Sequence, residues 1–244
     1  MAVIDQARRI LHEASRVVSF SGAGLSAESG VPTFRDAQTG GLWAKHDPMR
    51  LASPQGFAED PQLVSEWYAH RRRAIAEAQP NGAHIALARH PEMIHVTQNV
   101  DDLLHRAGAK QVIQLHGTIA ADRCHASCGY EEAVDMTDPP GLRHCPDCGD
   151  QLRPAVVWFG EALPSSAWTD AEQACRDCDV LLVIGTSAVV YPAAGLIGLA
   201  KSAGAKIVIV NTQASDASSL ADVELLGNAS EVVPALLEEP ARPR

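Results

Sequence analysis

Five short apolar runs, at residues 16–21, 93–97, 111–115, 180–184 and 206–210, alternate with helix-length segments, and this constrains the fold more than any other feature. The runs are rich in Val and Ile and lack a polar face, as strands do when both sides of a sheet are covered. Segments 2–14, 60–79, 84–89, 101–106 and 192–203 read as helices; Pro192 suits a first turn and Gly204 a C-terminal stop. Such alternation builds an α/β fold, a Rossmann-like parallel sheet with helices on both faces. Two stretches interrupt it. The expected division is a Rossmann-like domain from 1–35, 91–119 and 154–244, a helical insertion at 36–90 and a separate module at 120–153. In a chain of 244 residues, 46% of them hydrophobic, there is ample material for one large core and a smaller lobe.

No apolar run approaches the roughly 20 residues of a bilayer span, and the N-terminal residues carry no export signal. The chain is therefore expected in the cytoplasm and away from membranes. Its 20 Lys and Arg stand against 30 Asp and Glu, a net charge of −10. That balance argues against nucleic-acid binding, which needs a basic face to replace condensed counterions.

Without export, six cysteines do not suggest disulfides. Cys124 and Cys128, then sixteen residues, then Cys145 and Cys148 read as a four-thiolate zinc site, with Gly129 and Gly149 where each knuckle must turn. Four thiolates leave no open position, so the Zn2+ would be structural and would hold a short ribbon together. Cys175 and Cys178 repeat the two-residue spacing but lie near the end of a helix-like stretch, where buried small hydrophobes are the better reading.

Ligands of open α/β sheets sit outside the carboxyl ends of strands. The first strand runs into Gly22-Ala23-Gly24-Leu25-Ser26-Ala27, a G-x-G-x-x-A loop in which backbone N–H groups can approach a diphosphate. A dehydrogenase does not follow, because Pro32 interrupts the crossover helix and no strand ending in an acid comes about 20 residues later. Later strands end in Gly185-Thr186-Ser187 and Asn211, groups that suit a ribose or, equally, a turn. Gln98, Asn99, Asp101 and His116 come from two adjacent strand ends. The imidazole is either a proton acceptor or a satisfied structural histidine.

Taken together, residues 22–35, 97–101, 115–117, the two cysteine pairs, 156–161, 185–187 and 210–211 resemble the sirtuins in order and spacing. The resemblance runs over nearly the whole chain. It implies NAD-dependent removal of acyl groups from protein lysines, yielding nicotinamide, O-acyl-ADP-ribose and free lysine. It implies Gly22, Ala23, Gly24 and Ala27 at the diphosphate, and Phe34 and Arg35 in a loop over the reactive ribose. Gln98, Asn99 and Asp101 would line the ribose and nicotinamide pocket, and Gly185, Thr186, Ser187, Asn211 and Ala229 the adenosine half. His116 would be the base, with Asn99 and Asp101 beside it. Val157, Phe159, Gly160 and Glu161 would form a strand that pairs with the backbone of the acylated peptide.

Tyr68 and Arg71 lie three apart on an expected helix, and by spacing alone form a packed helix edge. At this place in the chain, Tyr-x-x-Arg resembles the sirtuin class that removes succinyl and malonyl groups, and implies a fork for an acyl carboxylate. The sequence departs from that class at Ala155, where members often carry a polar residue, and in its wider first cysteine gap. Two other readings stand beside deacylation: transfer of ADP-ribose to protein, and a non-catalytic NAD-sensing module.

Overall fold

The computed structural model describes residues 2–31 and 47–238. Its large sheet holds six parallel strands: β1 (Val17–Ser21), β2 (Ile94–Thr97), β3 (Gln111–Gln114), β7 (Val180–Ile184), β8 (Lys206–Asn211) and β9 (Val223–Leu226). Their order is β3-β2-β1-β7-β8-β9. The strand order reverses at β1 and β7, and a crevice opens there beyond the strand ends. A smaller antiparallel sheet, in the order β5-β4-β6, is made by β4 (Gly117–Cys124), β5 (Glu131–Ala133) and β6 (Leu152–Val156).

Both faces of the large sheet are covered, which explains its unbroken apolar runs. In β7, Leu181 and Val183 enter one layer with helices α8 (Ser165–Asp177) and α9 (Gly195–Ser202). Val180, Leu182 and Ile184 enter the other, where α1 (Ala2–Glu13), α6 (Gly82–Ala88), α7 (Leu103–Ala107) and α10 (Ala229–Leu237) pack. The two-residue period thus sends every side chain into a core. Residues 82–88, expected in the insertion, belong to this second layer: Ala83, Ala86 and Leu87 pack beside Val233 and Leu236.

The smaller lobe has its own core. α3 (Pro48–Leu51), α4 (Pro54–Glu59) and α5 (Pro61–Glu77) bring Leu51, Phe57, Val64, Trp67, Tyr68 and Ile75 against Ile119, Val156 and Trp158. α5 starts where Asp60 caps it, its carboxylate accepting from the Leu63 N–H at 3.0 Å, with Pro61 in the first turn. Buried Arg72 ties this helix to β4 by donating to the Ile119 and Ala121 carbonyls and to Asp122. Among the described residues, no helix is long and apolar enough to cross a membrane.

Candidate active site

The carboxyl ends of β1, β2, β7 and β8 open onto a cavity of about 660 Å³ that is also walled by α5 and the segment after β6. After β1, Gly22, Ala23 and Gly24 lead into a single helical turn, α2 (Gly24–Ala27). The neighbouring strand end dictates these glycines. A Cβ on Gly24 would lie 2.6 Å from the Gly185 Cα, and one on Gly22 would lie 2.9 Å from the Thr186 Cβ. The Gly24 N–H donates to the Gly185 carbonyl at 2.8 Å, so two loops that share the cavity are locked together. Ala27 lines the same wall.

Beyond β2, the Gln98 amide donates to Thr186 Oγ1 at 3.1 Å and the Asn99 amide to Ser26 Oγ at 3.2 Å. Asp101 lies just before α7, which begins two residues later than the sequence pattern suggests. Its Oδ1 accepts from the Leu103 N–H at 3.1 Å. Burial raises the Asp101 pKa above the usual carboxylate value, while the Leu103 N–H and the Ser26 hydroxyl pull it down. Ser26 was not singled out by the sequence, although it is the one hydroxyl inside the glycine loop. It is buried, and its Oγ stands 3.4 Å from His84 Nε2.

His116 follows β3. Its Nδ1 lies 2.9 Å from the Gln98 carbonyl oxygen. A carbonyl only accepts, so Nδ1 carries the hydrogen and Nε2 keeps its lone pair. Burial lowers the His116 pKa below the ordinary 6.5, and the bond to Gln98 works against that shift. At neutral pH the ring is an uncharged base on the cavity wall. On the far side of the β1 loop, Gly185, Thr186, Ser187, Asn211 and Ala229 line the same cavity. The Asn211 amide donates to the Thr186 carbonyl at 2.9 Å, which fixes the ends of β7 and β8 relative to each other.

Residues 157–161 line the cavity but are not a strand, in contrast to the expectation for Val157–Glu161. β6 ends at Val156, and the N–H groups of the next three residues are taken by other parts of the chain. The Val157 N–H donates to the His116 carbonyl and that of Phe159 to the Ala52 carbonyl, each at 2.9 Å. The Trp158 N–H donates to Glu161 Oε2 at 2.8 Å, and Gly160 adopts a φ of +86°. The result is a turn. Its Glu161 carboxylate is held by Arg123 and Arg153, and the Arg153 guanidinium lies 3.9 Å from the centroid of the Trp158 ring.

Tyr68 and Arg71 bring a phenol and a guanidinium to the cavity from one face of α5. The Arg71 guanidinium lies 4.8 Å from the Trp67 ring centroid and 5.9 Å from that of Tyr68. The Trp158 indole N–H donates to the Tyr68 oxygen at 2.9 Å. Trp158 is the second site residue that sequence reading passed over, although it stands inside the 156–161 motif.

Away from the cavity, the sulfurs of Cys124, Cys128, Cys145 and Cys148 all lie within 4.8 Å of one another, with 3.4 Å between 124 and 148 and 3.5 Å between 128 and 145. Tetrahedral zinc at about 2.3 Å from each sulfur separates the sulfurs by about 3.8 Å, so the donor set and its spacing fit the ion. Gly129 and Gly149 turn the two knuckles with φ of +100° and +79°. Cys175 and Cys178 are buried elsewhere, and burial pushes their thiols up to about 12 and about 11, where a reactive thiolate is not formed. Of the residues expected at the cofactor, Phe34 and Arg35 lie outside the described residues.

A profile of the Sir2 family matches residues 22–192. The chain is 50% identical to NAD-dependent protein deacylase 1 of Pseudomonas aeruginosa, over 93% of this chain and 95% of that protein. It is 46% identical to the NAD-dependent protein deacylase of Pyrococcus furiosus, over 97% and 98%. Among solved structures, a complex of a Sir2 homologue with NAD superposes with a TM-score of 0.89 at 43% identity, covering 96% of this chain and 92% of that one. Sir2Af2 bound to a myristoylated histone peptide gives 0.78 at 33% identity, over 97% and 95%.

Proposed function

The chain belongs to the Sir2 family, and from that premise we propose that this NAD-dependent lysine deacylase takes succinyl and malonyl groups as well as acetyl. The observation that carries the proposal is the pairing of Tyr68 and Arg71 on the wall of the cavity that also holds His116. A guanidinium presents a planar fork to a carboxylate, and the phenol adds a hydroxyl donor beside it. Burial raises the Tyr68 pKa, so the hydroxyl stays protonated at neutral pH. An acetyl group fits the same cleft without using either group.

Bound NAD would supply the acyl acceptor by giving up nicotinamide, and one water would complete the passage of the acyl group from lysine to ADP-ribose. For the protein's part, Gly22, Ala23, Gly24 and Ala27 present backbone to the diphosphate, and Gly185, Thr186, Ser187, Asn211 and Ala229 hold the adenosine half. Gln98, Asn99 and Asp101 face the nicotinamide end. His116 accepts a proton at Nε2 from a ribose hydroxyl, which is a poor nucleophile until then. The Gln98 carbonyl bound to Nδ1–H holds the ring in that tautomer and stabilises the cation as it forms. Val157, Phe159, Gly160 and Glu161 border the peptide, Glu161 by fixing the turn through its own carboxylate. The four cysteines hold a structural zinc, whose closed coordination leaves no position for substrate.

Rates on succinyl-lysine and acetyl-lysine peptides test the acyl preference. Tyr68→Phe with Arg71→Met is expected to cut desuccinylation by about 10²- to 10⁴-fold more than deacetylation, the size of two lost hydrogen bonds to a charged group. Equal losses on both substrates would remove the assignment.

A further inference from the structure

We infer that Trp158 sets acyl specificity by fixing the direction of the Tyr68 hydroxyl, which makes it a positioning residue for the carboxylate end of the acyl chain. This rests on the Tyr68 and Arg71 reading above. An indole N–H is a donor only, so at 2.9 Å the Tyr68 oxygen must accept from Trp158. The phenol proton therefore cannot point toward Trp158. It is left for a partner on the cavity side, where an acyl carboxylate would accept it.

The indole is itself held in place. The Trp158 backbone N–H donates to Glu161, and the indole packs against the Arg153 guanidinium at 3.9 Å and the Phe57 ring at 5.3 Å, measured to ring centroids. Trp158 is 2% exposed and Tyr68 is 2% exposed, so water does not compete for the bond between them. A neutral acetyl group has no use for the oriented proton. The arrangement thus discriminates between acyl groups without touching the reacting carbonyl.

The test is the ratio of kcat/KM on succinyl-lysine to that on acetyl-lysine peptides, measured for wild type, Tyr68→Phe, Arg71→Met, Trp158→Phe and the Tyr68→Phe/Trp158→Phe double variant. Trp158→Phe is expected to lower the ratio about 5- to 10-fold, less than the whole of a hydrogen bond to a charged group because the Tyr68 hydroxyl remains, through KM for the succinyl peptide. In the Tyr68→Phe background, where no hydroxyl remains to be oriented, it is expected to change the ratio no further. Should Trp158→Phe fold poorly, benzothienylalanine at 158 keeps the shape of the indole and lacks only the N–H, and the same result is expected. If Tyr68→Phe lowers the ratio and the Trp158 variants do not, the inference fails while the acyl assignment stands. Equal effects of Trp158→Phe in both backgrounds would mean packing, and would also overturn it. A ratio unmoved by Tyr68→Phe and Arg71→Met overturns the acyl assignment and this inference together.

Discussion

His116 and Asp101 stand at one cleft, and burial drives each toward its uncharged form: the imidazole down, the carboxyl up. For the histidine this shift helps the chemistry. A base must be free of its proton when substrate arrives, and a pKa below 6.5 leaves Nε2 unprotonated at pH 7. The sign of the pH dependence follows. Deacylation is expected to be level near pH 7 to 8 and to fall on the acid side, through a midpoint below 6.5, as the ring takes up a proton in advance. A pH–rate profile checks this, and a midpoint above 7 would contradict it. His116→Ala is expected to lose about 10²- to 10⁴-fold in turnover, the usual contribution of a positioned base, while NAD still binds by calorimetry. Gly22 and Gly24 make a different point at the same scale. The sequence marks them for a phosphate, yet their missing side chains are required first by the close approach of Gly185 and Thr186.

At the scale of elements, the double-sided burial of the large sheet encloses two histidines that do not line the cleft. His95 in β2 is bonded to Ser19 Oγ at 2.8 Å, and His84 in α6 accepts from the Asn81 N–H. Burial lowers both pKa values to about 4. Above pH 6.5 both rings are neutral whether the chain is folded or not, and the stability is fully present. As pH falls toward 4 the unfolded chain binds protons that the native state refuses, and stability is lost. By pH 5 the two rings together are expected to cost about 4 kcal/mol, before most carboxylates titrate. Urea midpoints between pH 7 and 5 measure this, and a constant midpoint would contradict it.

Legibility in the sequence follows the same physics. β1, β2, β3, β7 and β8 could be read because two buried faces leave an unbroken apolar run. β9 could not, because it lies at the sheet edge with Glu224 and the exposed Leu226 in its short span. α6 was misplaced because a short amphipathic helix does not announce which core it joins. The 157–161 turn was misread because its geometry depends on Arg123 and Arg153, distant in sequence from Glu161 or outside its motif. The cleft was legible because strand ends must converge there; Ser26 and Trp158 were not, because their partners come from other elements.

At the scale of the molecule, two sets of ion pairs tie the lobe that carries the four cysteines to the walls of the cleft. Arg72 of α5 and Arg143 both pair with Asp122 of β4, while Arg123, next to Cys124, pairs with Glu161 of the 157–161 turn. Zinc held by the four cysteines would therefore act on the reaction through position alone. Removing the ion with a chelator, or Cys145→Ser, is expected to abolish most activity and change the fluorescence of the Trp158 environment, while far-UV circular dichroism from the large sheet and its helices is largely kept. Full activity without metal would contradict this account of the lobe. The central claim, that the cleft moves an acyl group from lysine to ADP-ribose with His116 as base, is tested most directly by mass spectrometry of a succinyl-lysine peptide incubated with NAD. The expected result is loss of the succinyl mass, one nicotinamide and one O-succinyl-ADP-ribose per peptide, with desuccinylation slowed about 10²- to 10⁴-fold in His116→Ala. A peptide that gains the mass of ADP-ribose, or one that stays unchanged, would contradict it.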